Sequence, residues 1–319
     1  MSAGLSLSRL AFGCAPVMGR VSRAVALRAM HTAFERGVTH FDVARSYGYG
    51  DAEAVLGEFA AGKRDRITIA TKFGIRASGT ARGLRWLKPA IRQIANHLPY
   101  ARAALHSVSG KSLSAGHYEL AEARQSFEHS LKQLKTDYAD ILFIHDCSPA
   151  DELSGELLDY LQNLVRTGHI RAWGIATRPE WIAPVCAKLP AQPMIIQCAQ
   201  DILHAARSAA YRNDAIPAIF HSPFAATGAV EELRRLLGRG SLPQPLIDIA
   251  PRLASPDGIA RLLIEGAFFL AGAHPVLCSM FSPSHIRANF EAMERPWFTP
   301  MQLAALAAAT IPASTGATP

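Results

Sequence analysis

Asp42, Tyr47, Lys72 and His145 are the residues of this chain whose types and spacing suit proton transfer to an oxygen. They close or follow three short apolar runs, THFDVARSYGYG, ITIATKFG and ADILFIHD. A free tyrosine titrates at about 10, and a nearby ammonium lowers that value by favouring the tyrosinate. A buried carboxylate can hold the lysine in place and keep it charged. A histidine can complete a pair of donors around an oxygen that gains negative charge. On this chemistry Tyr47 is the general acid, Lys72 its modulator, Asp42 the anchor of the lysine, and His145 the orienter and second donor. Each residue alone has a plainer reading. Asp42 could cap a turn, Tyr47 and Tyr49 could pack a loop around Gly48, Lys72 could snorkel from a strand end, and His145 could sit in a core. Their joint order on three strand ends favours the chemical reading.

The elements that must position them recur along the whole chain. Strand-like runs occur at 10–13, 39–44, 67–74, 139–146, 170–177, 194–199, 215–222 and 275–280. Helix-period segments at 23–36, 51–60, 119–135, 152–166 and 257–271 separate many of them. Ser22 is a plausible N-cap, and Gly37 and Gly168 are C-terminal stops. Mostly apolar strands separated by helices imply a parallel sheet buried on both faces. Eight such units predict an α/β fold, a closed (β/α)8 TIM barrel, over one domain spanning residues 1–310. No GxGxxG follows the first strand, which argues against an open dinucleotide-binding sheet. Two stretches break the rhythm: a basic insertion at 76–117 after the third strand, and a Gly-, Pro- and Arg-rich connection at 224–256. Both follow strand C-termini, so both are expected on the catalytic face. The tail 311–319 is expected to be flexible.

Lys and Arg total 33 and Asp and Glu 26, a formal net charge of +7. The charge is uneven. No acidic residue occurs between Arg66 and Tyr118, a stretch that carries nine Lys and Arg residues. Five cysteines at wide spacing with no CxxC are expected to be reduced thiols of a cytoplasmic protein. Cys147, two residues past His145, is either an exposed thiol near the mouth or an inert loop cysteine. No transmembrane run and no secretory signal are read, and no metal-ligand spacing is found.

The chain resembles the aldo/keto reductase family from about Leu10 to Met293. FDVARSYGYGDAEAVLG is similar to the family's FDTAxxYGxxE signature, and ATKFG to its lysine-bearing strand. SFEHSLKQLKTDYADILFIHD is similar to its SLxxLxxDYxDLxxxH run, GHIRAWGIA to its GxIRxxGxS segment, and HSPF to its SPL loop. SPSHIRANFEAM is similar to its cofactor-closing helix. The resemblance implies nicotinamide-dependent reduction of an aldehyde or ketone to an alcohol, with Tyr47 as proton donor. It implies NADP(H), ahead of NAD(H), bound in extended form. The cofactor-binding residues it implies are Gly13, Thr177, Gln197, His221, Ser222, Phe224, Ser279, Ser282, His285 and Asn289.

Several of these positions depart from the family pattern. A Ser-Asn pair that binds the nicotinamide carboxamide reads Ala176-Thr177 here, and the stacking aromatic reads His221. The lysine and arginine of the 2′-phosphate site read Ser279 and His285, with Arg287 nearby. Two other functions therefore stay open: a cofactor-sensing regulatory barrel with little turnover, and a redox-neutral lyase or epimerase using the same tetrad. Within the insertion, Leu84, Leu87, Ile91, Ile94 and Leu98 have helical spacing, with Arg85, Lys88 and Arg92 on other faces. A packed flap, recognition of an anionic substrate and a membrane-surface contact are its three readings. No nucleic-acid module is found. The expected partner is a small-molecule carbonyl, and the oligomeric state is left open.

Overall fold

A computed structural model describes residues 5–77, 113–114, 116–205, 216–224, 229–238, 246–255 and 257–308. Its strands are β1 (Leu10–Gly13), β2 (His40–Asp42), β3 (Thr68–Phe73), β4 (Arg76–Ala77), β5 (Leu113–Ser114), β6 (Ala139–His145), β7 (Ile170–Ala176), β8 (Ile195–Ala199), β9 (Ala218–His221) and β10 (Val276–Cys278). All except β4 and β5 are parallel and close in the order β1–β10–β9–β8–β7–β6–β3–β2. The protein is a (β/α)8 barrel, as its alternating apolar runs predict. All six residues of β3 are buried.

Because side chains alternate across a strand, each strand contributes one set to the barrel interior and one to the helical shell. Ala11, Ala70, Ile141, Phe143, Ala172, Ile195, Ile219 and Leu277 pack together as the interior set. The neighbouring positions Phe12, Phe41, Ile69, Leu142, Trp173, Ile196 and Phe220 belong to the larger core shared with the helices. Two residues beyond the interior set, toward the C-terminal ends, stand Gly13, Lys72, His145, Gln197, His221 and Ser279. Asp42 joins them through its register with Gly13 and with Ala70. The interior is therefore apolar below and polar at its C-terminal mouth.

Helices Arg23–Glu35, Ala52–Ala60, Leu120–Leu134, Gly155–Arg166 and Gly258–Ala271 lie where the periodicity predicts them. Ser154 caps Gly155–Arg166 by accepting from the Leu157 amide. A helix at Pro179–Cys186 was not expected, and 224–256 holds two more, Ala229–Gly238 and Leu246–Leu253. Prolines 184 and 251 inside these short helices mask their periodicity in the sequence. No helix among the described residues is long and apolar enough to cross a membrane.

The ends of the basic insertion are tied together. β4 pairs antiparallel with β5, Arg76 opposite Ser114 and Ala77 opposite Leu113. Just before this ladder Gly74 has φ +108, and a Cβ there would meet the Tyr118 ring at 2.3 Å. Tyr118 lies over it and donates its hydroxyl to the His145 carbonyl at 3.0 Å. The amphipathic helix expected near 84–98 and the tail 311–319 lie outside the described residues.

Candidate active site

The polar mouth opens into a cavity of about 690 Å³ whose wall includes Asp42, Tyr47, His145, Thr177, Gln197, His221 and Ser279. At its floor Lys72 is 2% exposed and Asp42 1%. The Lys72 ammonium donates to Asp42 Oδ1 at 2.5 Å and to the Val43 carbonyl at 3.1 Å. Burial works against its charge, but Asp42 and Tyr47 outweigh burial and raise its pKa.

Tyr47 opens the 3₁₀ turn Tyr47–Gly50. The turn needs glycine at 48, where φ is +58 and a Cβ would meet the Val17 carbonyl at 2.4 Å. The helix that follows is pinned to β3 by Glu53, which accepts from the Thr71 hydroxyl at 2.6 Å. The ring of Tyr47 stands nearly perpendicular to His145, 6.1 Å between centroids, with the Lys72 ammonium 5.3 Å from its centre. Burial pushes the phenol pKa up, and Lys72 opposes it through charge and a hydrogen bond. The balance is upward. Lys72 acts in the lowering direction the sequence predicts, but burial outweighs it.

His145 is held neutral, its pKa well below the usual histidine value through burial, then Lys72, then His221. His221 falls to about 4, mainly by burial. Its Nδ1 lies 2.8 Å from the Ser222 hydroxyl. Ser222 and Asp146, the residues directly after β9 and β6, both take positive φ without being glycine. Such strained positions collect at functional sites. Cys147 is fully buried and its thiol is pushed up to about 12, so it is the inert loop cysteine and not an exposed one.

The expected cofactor residues divide into two groups. Gly13, Thr177, Gln197, His221, Ser222, Phe224 and Ser279 all line the cavity. Ser282, His285 and Asn289 do not. Ser282 caps the helix Pro283–Glu294 by accepting from the His285 amide, His285 is exposed, and Asn289 is buried with its amide donating to Met280 Sδ. Within the first group several donors are already committed. The Thr177 hydroxyl donates to the Cys147 carbonyl at 2.7 Å, and Ser279 donates to the Gly13 carbonyl at 3.1 Å. Gln197 Nε2 donates to Asp42 Oδ2 at 2.8 Å. Thr177 keeps acceptor capacity for a ligand, and Gln197 keeps its amide oxygen and its second amide N–H.

Other wall residues escaped the sequence reading: Arg20, Asp146, Arg178, Glu180, Asp201 and His204. Arg178 lies over the Trp181 ring at 4.4 Å and opposes the burial that raises the Asp146 pKa. His204 Nδ1 meets Asp201 Oδ1 at 3.0 Å. Asp146 and Arg178 follow β6 and β7 within two residues of the strand ends. That position alone could have flagged them.

Residues 9–311 match the model of the aldo/keto reductase family. Norsolorinic acid reductase A of Aspergillus parasiticus is 30% identical over 196 residues, covering 58% of this chain and 43% of the relative. The match thus spans less than half of that relative's length. An aldo-keto reductase of Bacillus halodurans in holo form superposes with a TM-score of 0.70 at 21% identity, covering 97% of this chain and 95% of that one. One from Klebsiella pneumoniae in complex with NADPH has a TM-score of 0.63 at 18% identity, with coverage of 94% and 90%. These two likenesses concern the fold.

Proposed function

The chain belongs to the aldo/keto reductase family, and on that premise we propose that it reduces an aldehyde or ketone to an alcohol with a nicotinamide cofactor. A reduced nicotinamide, when bound at this wall, would supply the hydride for the carbonyl carbon. Tyr47 gives its phenolic proton to the carbonyl oxygen, and the Lys72 ammonium steadies the tyrosinate left behind. Neutral His145 orients the oxygen as charge develops on it. The phenol is protonated at neutral pH, as a proton donor must be, and Lys72 favours the tyrosinate that forms when it gives that proton up. The observation that carries the reading is the buried Lys72–Asp42 pair beneath a tyrosine and a neutral histidine at the barrel mouth.

The wall fits the cofactor in a particular way. Thr177 offers an oxygen acceptor, and Gln197 an oxygen acceptor and a second amide N–H, a set that suits both the N–H donors and the carbonyl of the nicotinamide carboxamide. His221 is the ring available to stack on the nicotinamide. We assign NADP(H) ahead of NAD(H), with exposed His285 and Arg287 as the basic residues available to a 2′-phosphate. The free thiols suit a reducing, cytoplasmic location. The described wall carries both signs of charge, Arg20 and Arg178 against Asp146, Glu180 and Asp201. Preference for an anionic substrate would therefore have to come from the basic insertion.

Tyr47→Phe tests the reading. Turnover on a panel of aldehydes and ketones is expected to fall by about 10²-fold or more, with cofactor affinity retained. Undiminished turnover would sink it. Side-by-side fluorescence titration with NADPH and NADH tests the cofactor assignment, and binding of NADH alone would reverse it.

A further inference from the structure

Gln197 stands in the cavity wall, yet its amide nitrogen points at the carboxylate of the tetrad. Asp42 is buried, and two donors serve it from opposite sides of the barrel mouth: Lys72 on Oδ1 at 2.5 Å and Gln197 on Oδ2 at 2.8 Å. The orientation of the amide is forced. A carboxylate oxygen facing it only accepts, so the nitrogen must be on that side and the oxygen on the other. The backbone is equally fixed. Gln197 is paired with Ala176 in the β7–β8 ladder, and its carbonyl accepts from the Thr177 amide at 3.1 Å.

We infer that Gln197 is a positioning residue, whose amide holds the far oxygen of Asp42 so that the wall that takes the nicotinamide amide and the pair that serves Tyr47 form one hydrogen-bonded unit. The inference deepens the proposed function and rests on it for its catalytic meaning. One planar amide thereby presents an acceptor to the cofactor and a donor to the carboxylate. Without that donor Asp42 draws more heavily on Lys72, and the ammonium is less available to Tyr47. Asp42 raises the Tyr47 pKa and Lys72 lowers it, so both changes act in one direction, upward. Among the described residues the other groups facing Tyr47 are Cys14 and His145, and neither bonds Gln197.

The test uses Gln197→Met, which keeps the side-chain length and removes the donor. Gln197→Asn is the second variant, since it keeps an amide but withdraws it by one methylene. Phenolate absorbance of the cofactor-free protein is followed with rising pH, and the same curve for Tyr47→Phe is subtracted to isolate Tyr47. In a folded variant the Tyr47 midpoint is expected to rise by about one pH unit. The alkaline limb of the kcat profile should move the same way, and kcat at saturating cofactor should fall by about tenfold. A pure cofactor contact would raise the cofactor Kd and leave the cofactor-free titration and the saturated kcat unchanged, and that result would overturn the inference. The titration needs neither cofactor nor substrate. Failure of the reductase reading would appear instead as undiminished turnover in Tyr47→Phe.

Discussion

Lys72→Met should strip the barrel mouth of the one buried cation among its described residues and leave Asp42 without its ion-pair partner. The lost contacts are the 2.5 Å bond to Asp42 and the 3.1 Å bond to the Val43 carbonyl. At an effective dielectric of 20, two charges this close attract by roughly 6–7 kcal/mol before desolvation is subtracted. Methionine relieves the lysine of its own desolvation, but Asp42, 1% exposed, keeps only Gln197 as a named side-chain donor. Breaking a buried pair from one side costs about 3–5 kcal/mol, and we expect the variant to lose that much. Urea denaturation of the cofactor-free protein, followed by tryptophan fluorescence, measures it. The paired variant Asp42→Leu/Lys72→Met removes both charges and should recover about 2 kcal/mol or more relative to Lys72→Met. The reasoning fails if Lys72→Met stays within about 1 kcal/mol of the parent, or if the double variant loses the sum of the two singles.

Two further predictions concern the scaffold. His40 is fully buried beside Thr68, and burial lowers its pKa from 6.5 to about 4. The unfolded chain therefore binds the extra proton first. The stability His40 contributes is complete above its unfolded pKa and is lost as pH falls toward the folded value, at up to about 1.4 kcal/mol per pH unit. Denaturation of the parent and of His40→Gln between about pH 6 and pH 5 should give stabilities whose slopes differ by about 1 kcal/mol per pH unit, and parallel lines would refute it. In β7, a Cβ on Gly174 would lie 2.0 Å from the Ile195 carbonyl oxygen, so Gly174→Ala must part the β7–β8 ladder. A loss of about 3 kcal/mol is expected, read as a lowered thermal midpoint, and an unchanged midpoint would refute the clash.

All eight barrel strands were legible because burial on both faces leaves a mostly apolar run, as Ile141–Ile144 does in β6. The tetrad was legible because a polar residue closing such a run is costly unless it has a use. The helix Pro179–Cys186 was not, because its prolines at 179 and 184 interrupt a short apolar pattern. The hydrogen-bond commitments of the cavity wall were beyond sequence altogether. Thr177 reaches Cys147 across 30 residues and Gln197 reaches Asp42 across 155, pairings that only the closed barrel creates. The sign of the Tyr47 shift depends on a contest between burial and one shared ammonium, which residue types alone do not settle. The period-two rule would have gone further. Counting two residues on from the apolar interior positions picks out Gln197, His221 and Ser279 together with Lys72 and His145.

The short ladder between β4 and β5 has an evolutionary corollary. Chain that leaves and re-enters a barrel at one point can be exchanged as a cassette, since the entropy of closing a loop grows only with the logarithm of its length. The rivet is Tyr118, lodged over Gly74 and bonded to the backbone carbonyl of His145. Lineages can thus trade the sequence between Ala77 and Leu113 while His145 stays where it is at the barrel mouth.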